Sequence, residues 1–215
     1  GAQIRTVNLE SVLRIIQVLR YRNWWLCQIT TKLVRLHWLG TILVRLINQE
    51  IRNAKKGRPA KITIKLNNFN DPELINKFYE ASCEGVEIKM IIRGICSLVP
   101  GVKDLSENIE VVSIIDRYLE HIRMFHFHNG GNELFFIGSA DWLVRNLDKR
   151  VEVTTPIYDS DIQDNMREFL NLQLKDNVKA RVIDEKGRNK YVPKKGKKIR
   201  SQIEQYNYFK SLLKS

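Results

Sequence analysis

An apolar strand, an amphipathic helix and a second strand follow one another within about thirty residues, and this succession constrains the fold most. Residues 61–66 alternate strictly between polar and apolar side chains, which predicts a strand. Asn70 or Asp71 can cap a helix that has Pro72 in its first turn. Residues 86–92 are again largely apolar and predict the second strand. The unit therefore predicts two parallel strands joined by a right-handed crossover.

The rest of the sequence predicts further strands and helices around this unit. Residues 128–132, which read His-Asn-Gly-Gly-Asn, have the turn chemistry of a hairpin. We predict further strands at residues 109–115, 123–127, 133–137, 151–155 and 179–183, a helix at 159–172 and a basic loop at 185–200. A helix that ends at Gly57 is predicted from the spacing of Leu43, Leu46, Ile47 and Ile51. A C-terminal helix is predicted with one apolar face formed by Ile203, Tyr206, Phe209 and Leu213. The sequence thus predicts the α/β class, with a mixed sheet and helices on both of its faces.

Composition limits the class of protein further. Arg or Lys interrupts every long apolar run, so we expect a cytoplasmic protein without a transmembrane segment. Cys27, Cys83 and Cys96 are odd in number and widely spaced, which is typical of reduced thiols and not of a zinc site. His126 and His128 flank the hairpin turn, where we expect them to be exposed. We predict no metal site in the chain.

The net charge of +12 is spread unevenly along the chain. Residues 1–60 contain 11 basic and 2 acidic side chains, residues 61–184 contain 15 and 20, and residues 185–215 contain 10 and 2. A mildly acidic middle segment thus lies between two basic ends, which favours a polyanionic partner. Charge alone does not distinguish nucleic acid, anionic lipid and inorganic polyphosphate.

A histidine and an arginine two residues apart precede a Gly-Ser pair. On a strand, His121 and Arg123 would point to the same face. The imidazole can then act on a phosphorus centre while the guanidinium holds phosphate oxygens as a bidentate fork. Gly138 and Ser139 can bring backbone N–H groups and a hydroxyl to the same anion. The combination predicts one half of a site that handles phosphoryl groups.

This motif resembles the signature of the phospholipase D superfamily, His-x-Lys followed by Gly-Ser-x-Asn. Here Arg123 takes the place of the lysine, and Asp141 takes the place of the asparagine. The surrounding sequence is similar to the second half of bacterial polyphosphate kinase. The segments that carry the similarity are Ile92–Leu98, Ser113–His121, Ile137–Trp142, Arg145–Val153 and Val178–Asp184. We therefore expect a phospholipase D-like catalytic domain at residues 43–215 and a remnant of a preceding domain at residues 1–42.

The resemblance implies roles for particular side chains. His121 would contact the nucleotide phosphates and act as an acid or base, with Arg123 as a second catalytic residue. Arg93, at the end of a strand, and Ser139 would bind phosphate, although a surface ion pair is the alternative for Arg93. Four further cations either line a polyanion channel or form a solvated basic face: Arg117, Arg145, Lys149 and Arg150. Three acids either orient His121 and Arg123 or pair with these arginines: Glu120, Asp141 and Glu152.

For the full-length protein, the resemblance implies a kinase that reversibly transfers the terminal phosphate of ATP to inorganic polyphosphate through a phosphohistidine. ATP or ADP with Mg²⁺, and polyphosphate, would be its ligands. The sequence contains a single His-x-Arg motif with a Gly-Ser turn, so the phosphorylated histidine would lie on an upstream half. The upstream domains would then be partners, and the chain alone would be inactive.

Two alternatives stay open at this point. The chain can be a polyanion- or nucleic-acid-binding module of the same superfamily fold, whose basic ends grip a phosphodiester backbone. It can also be a nuclease-like phosphodiesterase in which two chains pair as a homo-oligomer, so that each supplies one motif. The sequence leaves oligomeric state and peripheral contact with the inner membrane undecided.

Overall fold

The computed structural model describes residues 38–150, 152–194 and 196–213. Within these residues, seven strands form one sheet and two short strands form another. In chain order the strands are β1 (Lys61–Leu66), β2 (Phe69–Asn70), β3 (Glu87–Ile92), β4 (Ile109–Ile114), β5 (Arg123–Phe127), β6 (Leu134–Gly138), β7 (Trp142–Leu143), β8 (Thr154–Ile157) and β9 (Ala180–Ile183). The large sheet has the order β8-β6-β5-β1-β3-β4-β9, and the small sheet pairs β2 with β7.

Helices connect these strands at positions that local sequence signals explain. In the described part of the chain they are α1 (Trp38–Lys55), α2 (Pro72–Cys83), α3 (Val144–Lys149), α4 (Ser160–Leu174) and α5 (Ser201–Leu212). After α1, Gly57 adopts a φ of 66°, which glycine tolerates without strain. Of the two caps that the sequence allowed for α2, the structure uses Asp71, whose carboxylate accepts the Leu74 N–H at 2.9 Å.

The predicted strand, helix and strand unit is confirmed. β1 and β3 are parallel, with Lys61 opposite Glu87 and Leu66 opposite Ile92, and α2 lies between them in the chain. β4 adds a third parallel strand beside β3. The pairs β1–β5, β5–β6, β6–β8 and β4–β9 are antiparallel, so the sheet is mixed, as predicted. β5 and β6 form the predicted hairpin around Asn129–Gly131.

Helices cover both faces of the large sheet. On one face, Leu43 of α1 and Phe78 of α2 lie in the larger hydrophobic core, where the Phe78 ring stacks on Trp142 at a centroid distance of 5.7 Å. On the other face, Met166 of α4 packs in a second core with Ile91 of β3. The α/β class with helices on both faces is therefore confirmed.

Two elements differ from their predictions. The strand expected at 151–155 is found at Thr154–Ile157. In α5, Ile203, Tyr206 and Phe209 are exposed, whereas Gln202 and Gln205 are buried. Gln202 is buried because it forms hydrogen bonds with Tyr118 and Glu120 in the segment before β5, and the periodicity of α5 does not reveal these contacts.

The prediction that His126 is exposed is wrong. Its side chain is 12% exposed, its ring stacks on Phe135 at a centroid distance of 4.3 Å, and its Nε2 lies 3.1 Å from Glu133. Burial lowers the pKa of His126, and the nearby Glu133 opposes this only in part. His128 is also half-buried. Pairing of β5 with β6 places His126 directly opposite Phe135, and this explains the stacking.

The predicted boundary between residues 42 and 43 falls inside α1, which begins at Trp38. Residues 1–37 of the predicted N-terminal segment lie outside the described residues, so the division into two segments stays a prediction. No helix among the described residues has both the length and the apolar character needed to cross a bilayer.

Candidate functional site

The segments that carry the predicted site residues meet at one edge of the large sheet. Because β1 and β3 are parallel, Asn67 and Arg93, which follow them, leave the sheet at the same edge. β5 is antiparallel to β1, so its first residue, Arg123, starts there as well. Arg123 pairs with Gly138 at the end of β6, which brings Ser139 to this edge. The topology thus collects residues that are distant in sequence.

His121 is exposed and lies against the guanidinium of Arg123. Nη1 of Arg123 is 3.2 Å from Nδ1 of the imidazole, and Nη2 is 3.1 Å from Nε2. Nη1 also donates to the carbonyl oxygen of His121 at 3.3 Å. A neutral imidazole has one acceptor nitrogen, so one of the two ring contacts is a hydrogen bond in either tautomer. Arg123 therefore orients His121 through both its ring and its backbone.

The fork of Arg123 binds a carboxylate of the same chain. Nε donates to Oδ1 of Asp141 and Nη2 donates to Oδ2, both at 3.1 Å. Burial raises the pKa of the Asp141 carboxyl, but hydrogen bonds from Arg123, Asn68 and Asn67 outweigh it, so this pKa lies below its usual range. In the structure this fork binds Asp141, and the predicted contact of Arg123 with phosphate oxygens stays a prediction.

Asp141 also holds the turn that follows β1. Its Oδ1 accepts the backbone N–H of Asn67 at 2.9 Å and that of Asn68 at 3.2 Å. Its Oδ2 accepts the side-chain amide of Asn68 at 3.0 Å. Of the three acids that the sequence proposed as orienting groups, Asp141 is the one bonded to Arg123.

Arg93 is tied to the same turn. Its Nε donates to Oδ1 of Asn67 at 3.1 Å, which uses one edge of the guanidinium. The next residue, Gly94, donates its N–H to the carbonyl of Asn67 at 2.7 Å. A Cβ at position 94 would lie 2.6 Å from Oδ1 of Asn68, so glycine is required for this close approach. Arg93 is thus held by one nitrogen, while its Nη groups form no hydrogen bond with the described residues.

A cleft of about 520 Å³ opens beside Arg93, between the ends of β3, β4 and β9. Arg181 lines it together with Arg93, and its guanidinium lies over the Tyr191 ring at 3.9 Å from the centroid. Arg181 also donates to the Asn189 carbonyl at 2.8 Å, which fixes its position. Two arginines on one cleft suit an extended anion.

Ser139 is engaged within the fold. Its hydroxyl donates to the Glu152 carboxylate and accepts the Val153 N–H at 3.0 Å, while its own N–H donates to the Val153 carbonyl at 2.9 Å. Glu152 in turn accepts the side-chain amide of Asn146 at 2.7 Å. Phosphate binding by Ser139 stays a prediction, and it requires the hydroxyl to exchange Glu152 for the anion.

Glu120, which precedes His121, does not contact the imidazole or Arg123. It forms an ion pair with the buried Lys65 at 2.8 Å and accepts hydrogen bonds from Gln173 and Gln202. Gln202 also accepts the Tyr118 N–H at 3.0 Å and donates to the Tyr118 carbonyl at 2.8 Å. These contacts hold the segment that leads to His121 against β1, α4 and α5.

Known proteins share both the sequence and the fold of this chain. The family model for polyphosphate kinase C-terminal domain 2 matches residues 33–202. The chain belongs to the polyphosphate kinase family. The polyphosphate kinase of Vibrio cholerae is 53% identical over 175 residues, and that of Escherichia coli (strain K12) is 43% identical over 172 residues. A crystal structure of polyphosphate kinase from Porphyromonas gingivalis superposes with a TM-score of 0.79 at 42% sequence identity.

The chain spans about a quarter of the length of these relatives. The matches cover 81% of the chain and 25% of the Vibrio cholerae protein, and 80% of the chain and 25% of the Escherichia coli protein. The structural match covers 80% of the chain and 27% of the Porphyromonas gingivalis chain. Participation of this chain in the activity of a whole polyphosphate kinase is therefore a proposal.

The four cations of the predicted channel do not join this cluster of hydrogen bonds. Arg145 and Lys149 lie on the short helix α3, and Arg150 follows it, and all three are exposed. Arg117 lies over the Tyr118 ring at 5.5 Å from the centroid. A polyanion channel through these residues stays a prediction.

Sequence reasoning missed Asn67, Asn68 and Gly94. The two asparagines follow a predicted strand, a position where ligand sites of open α/β sheets lie, and this signal could have found them. The described residues contain no cluster of three or more His, Cys, Asp or Glu side chains that could hold a metal ion. Asp141 and Glu152 are occupied by other side chains, so they offer Mg²⁺ no ready ligand set.

Proposed function

We propose that this chain supplies the nucleotide-phosphate side of a polyphosphate kinase active site. The full-length enzyme would transfer the terminal phosphate of ATP to inorganic polyphosphate, reversibly. The observation that carries the proposal is the exposed imidazole of His121, oriented by Arg123 at the sheet edge where Arg93 also emerges. Family membership supports the reaction class.

In the proposed reaction, a histidine on an upstream half attacks the γ-phosphorus of ATP. A P–N bond forms while the bond between the γ-phosphorus and the β,γ-bridging oxygen breaks, and ADP leaves. A terminal oxygen of polyphosphate then attacks the same phosphorus and releases the histidine. Mg²⁺ would arrive on the nucleotide phosphates, because the described residues provide no cage for it.

Each residue of this chain has a role in that scheme. His121 contacts the nucleotide phosphates and supplies a proton to the departing ADP oxygen, or removes it in the reverse direction. Arg93 binds a phosphate through its Nη groups, because Asn67 accepts a hydrogen bond from its Nε only. Arg123 acts as a positioning residue, because its Nε and Nη2 bind Asp141 while its Nη1 and Nη2 contact His121.

The test is the His121→Ala variant of the full-length enzyme. Loss of a positioned acid or base typically lowers the rate by ~10²–10⁴-fold, so polymer synthesis from ATP should fall by this factor. The matched control is His128→Ala, which removes a histidine at the far end of β5 and should leave turnover near the wild-type rate. Near-normal turnover in His121→Ala would refute the proposal.

A second candidate function is binding of polyanions, nucleic acid among them. The observation that favours it is the set of exposed lysines around the 185–200 loop: Lys186, Lys190, Lys194, Lys197 and Lys198. Such binding would weaken steeply with salt, because it releases counterions. Competition distinguishes the two functions. If polyphosphate displaces nucleic acid readily, the kinase assignment gains support, whereas nucleic acid that resists displacement by excess polyphosphate favours the binding module.

A further inference from the structure

We propose that Asp141 is the positioning residue that couples the two phosphate-contacting side chains, Arg93 and His121, into one rigid unit. This inference rests on the proposed function, because it assigns both side chains to the nucleotide phosphates. It goes beyond that function in naming what holds them in a common geometry. Asp141 would not touch the substrate itself.

The carboxylate of Asp141 is ionised, and both of its oxygens accept more than one hydrogen bond. Oδ1 accepts three hydrogen bonds, from Asn67 N, Asn68 N and Arg123 Nε, and Oδ2 accepts two, from Asn68 Nδ2 and Arg123 Nη2. All five distances lie between 2.9 and 3.2 Å. The residue is 6% exposed, so water cannot substitute for these donors.

The first connection runs from Asp141 to His121. The carboxylate fixes the plane of the Arg123 guanidinium by a bidentate contact with Nε and Nη2, and Nη1 and Nη2 contact the two ring nitrogens of His121. His121 is exposed, and among the described residues its ring nitrogens contact Arg123 alone. The orientation of the imidazole therefore depends on that of Arg123, which depends on Asp141.

The second connection runs from Asp141 to Arg93. The carboxylate fixes the turn at Asn67 and Asn68 through two backbone N–H groups and one amide. Asn67 accepts the Arg93 Nε, and Asn68 accepts the Ile95 N–H at 3.0 Å. The loop that carries Arg93 is therefore bonded on both sides of Gly94 to a turn that Asp141 holds.

The sequence supports this reading independently. The two positions at which the chain departs from the phospholipase D signature, Arg123 and Asp141, are bonded to each other. A guanidinium fork needs two acceptor oxygens, and a carboxylate supplies them. An asparagine at position 141 would present its NH₂ to Arg123 or to Asn68, both of which are donors there. The two departures thus form a matched pair.

The test is a double-mutant cycle in the full-length enzyme, with kcat and KM for ATP measured for Asp141→Asn, Arg123→Lys and the double variant. A hydrogen bond to a charged group typically contributes enough free energy that its loss should lower kcat/KM by ~10- to 100-fold in each single variant. The double variant should lose no more than the worse single one, because both substitutions break the same contact between residues 123 and 141.

The matched control is Asp176→Asn. Asp176 is also a buried carboxylate and accepts the backbone N–H groups of Val178, Lys179, Ala180 and Ser201. Its variant should lower the melting temperature while leaving kcat/KM near wild type at a temperature where the enzyme is folded. A merely structural role of Asp141 would produce the same pattern, and that result would overturn the inference.

Other outcomes separate the inference from the proposed function. Losses that add in the double variant, or wild-type kcat/KM in Asp141→Asn, would overturn the coupling while the His121→Ala result stands. Wild-type turnover in His121→Ala would overturn both.

If Asp141→Asn does not fold, Asn67→Ala keeps Asp141 and removes the acceptor of Arg93 Nε. It should raise KM for ATP severalfold, and an unchanged KM would refute the connection to Arg93.

Discussion

A buried ion pair beneath the site gives a quantitative test of how the His121 segment is held. Lys65 points from β1 toward the face covered by α4, and its side chain is only 3% exposed. Glu120 is 16% exposed and lies 2.8 Å from the Lys65 ammonium. Burial lowers the pKa of Lys65, and the Glu120 charge opposes this shift. Glu120→Gln would leave a charged ammonium in the protein interior without its counter-ion.

The expected cost follows from this burial. Removing one partner of a buried ion pair typically destabilises a protein by ~3–5 kcal/mol, because the other charge stays buried. Glu120 is partly exposed, so we expect the lower end, ~3 kcal/mol, and a fall in melting temperature of roughly 6–12 °C. By contrast, Glu87→Gln breaks pairs with the exposed Lys61 and the half-buried Lys89 and should cost no more than ~1 kcal/mol.

Urea denaturation followed by circular dichroism measures these differences, with Glu87→Gln as the control. A second variant isolates the reason for the loss. Lys65→Met combined with Glu120→Gln removes both charges and should recover most of the stability lost by Glu120→Gln alone. A loss below ~1 kcal/mol in Glu120→Gln, or a double variant less stable than the single one, would refute the argument that an unpaired ammonium is responsible.

Four further predictions follow from individual contacts. Arg93→Lys should raise KM for ATP by ~10-fold or more in steady-state kinetics, because lysine offers neither the Nε bond to Asn67 nor a fork for phosphate, and wild-type kinetics would contradict this. Gly94→Ala should destabilise the chain by ~1–3 kcal/mol in thermal unfolding, since its Cβ would meet Asn68 Oδ1 at 2.6 Å; an unchanged melting temperature would show that the turn adapts. Burial raises the pKa of Glu50, so the stability it contributes is present below its unfolded pKa and is lost as pH rises through the folded one. Glu50→Gln should therefore be more stable than wild type by ~1 kcal/mol at pH 7 and little different at pH 4, which denaturation at both pH values checks; a difference that does not grow with pH would be contrary evidence. Finally, the 215-residue chain incubated with radiolabelled ATP and magnesium should form neither polyphosphate nor stoichiometric phosphohistidine, and robust polymer formation would show a self-contained site.

Much of the fold was predictable because its signals are local. The alternation of residues 61–66, the Asp71 cap and the Gly-Gly hairpin each depend on neighbouring residues, and the structure confirms all three. Those elements also predict the edge at which the site forms, since the ends of parallel strands meet there. The exposed apolar side of α5 was not predictable, because its burial depends on which face meets Tyr118 and Glu120.

In the candidate site, too, some features were predictable from neighbouring residues and others were not. The two-residue spacing of His121 and Arg123 predicted that they lie close together, and they do. The predicted reason does not hold, because β5 begins at Arg123 and His121 lies before the strand. The sequence did not predict which group the Arg123 guanidinium binds. Phosphate and carboxylate satisfy a guanidinium equally well, so the sequence could name the donor but not the acceptor.

Local sequence patterns predicted the seven strands of the large sheet, four of the five described helices and the proximity of His121 to Arg123, but not β2, β7 or α3. The tertiary structure alone decided that Asp141 joins Arg123 to Asn67, since these contacts span 18 and 74 residues of chain. It also decided that Lys65 is buried and that Ser139 is bonded to Glu152. The physical reason is that helix and strand periodicity is set by adjacent residues. Hydrogen-bond partners of buried polar groups are set by whichever donors the folded chain brings within reach.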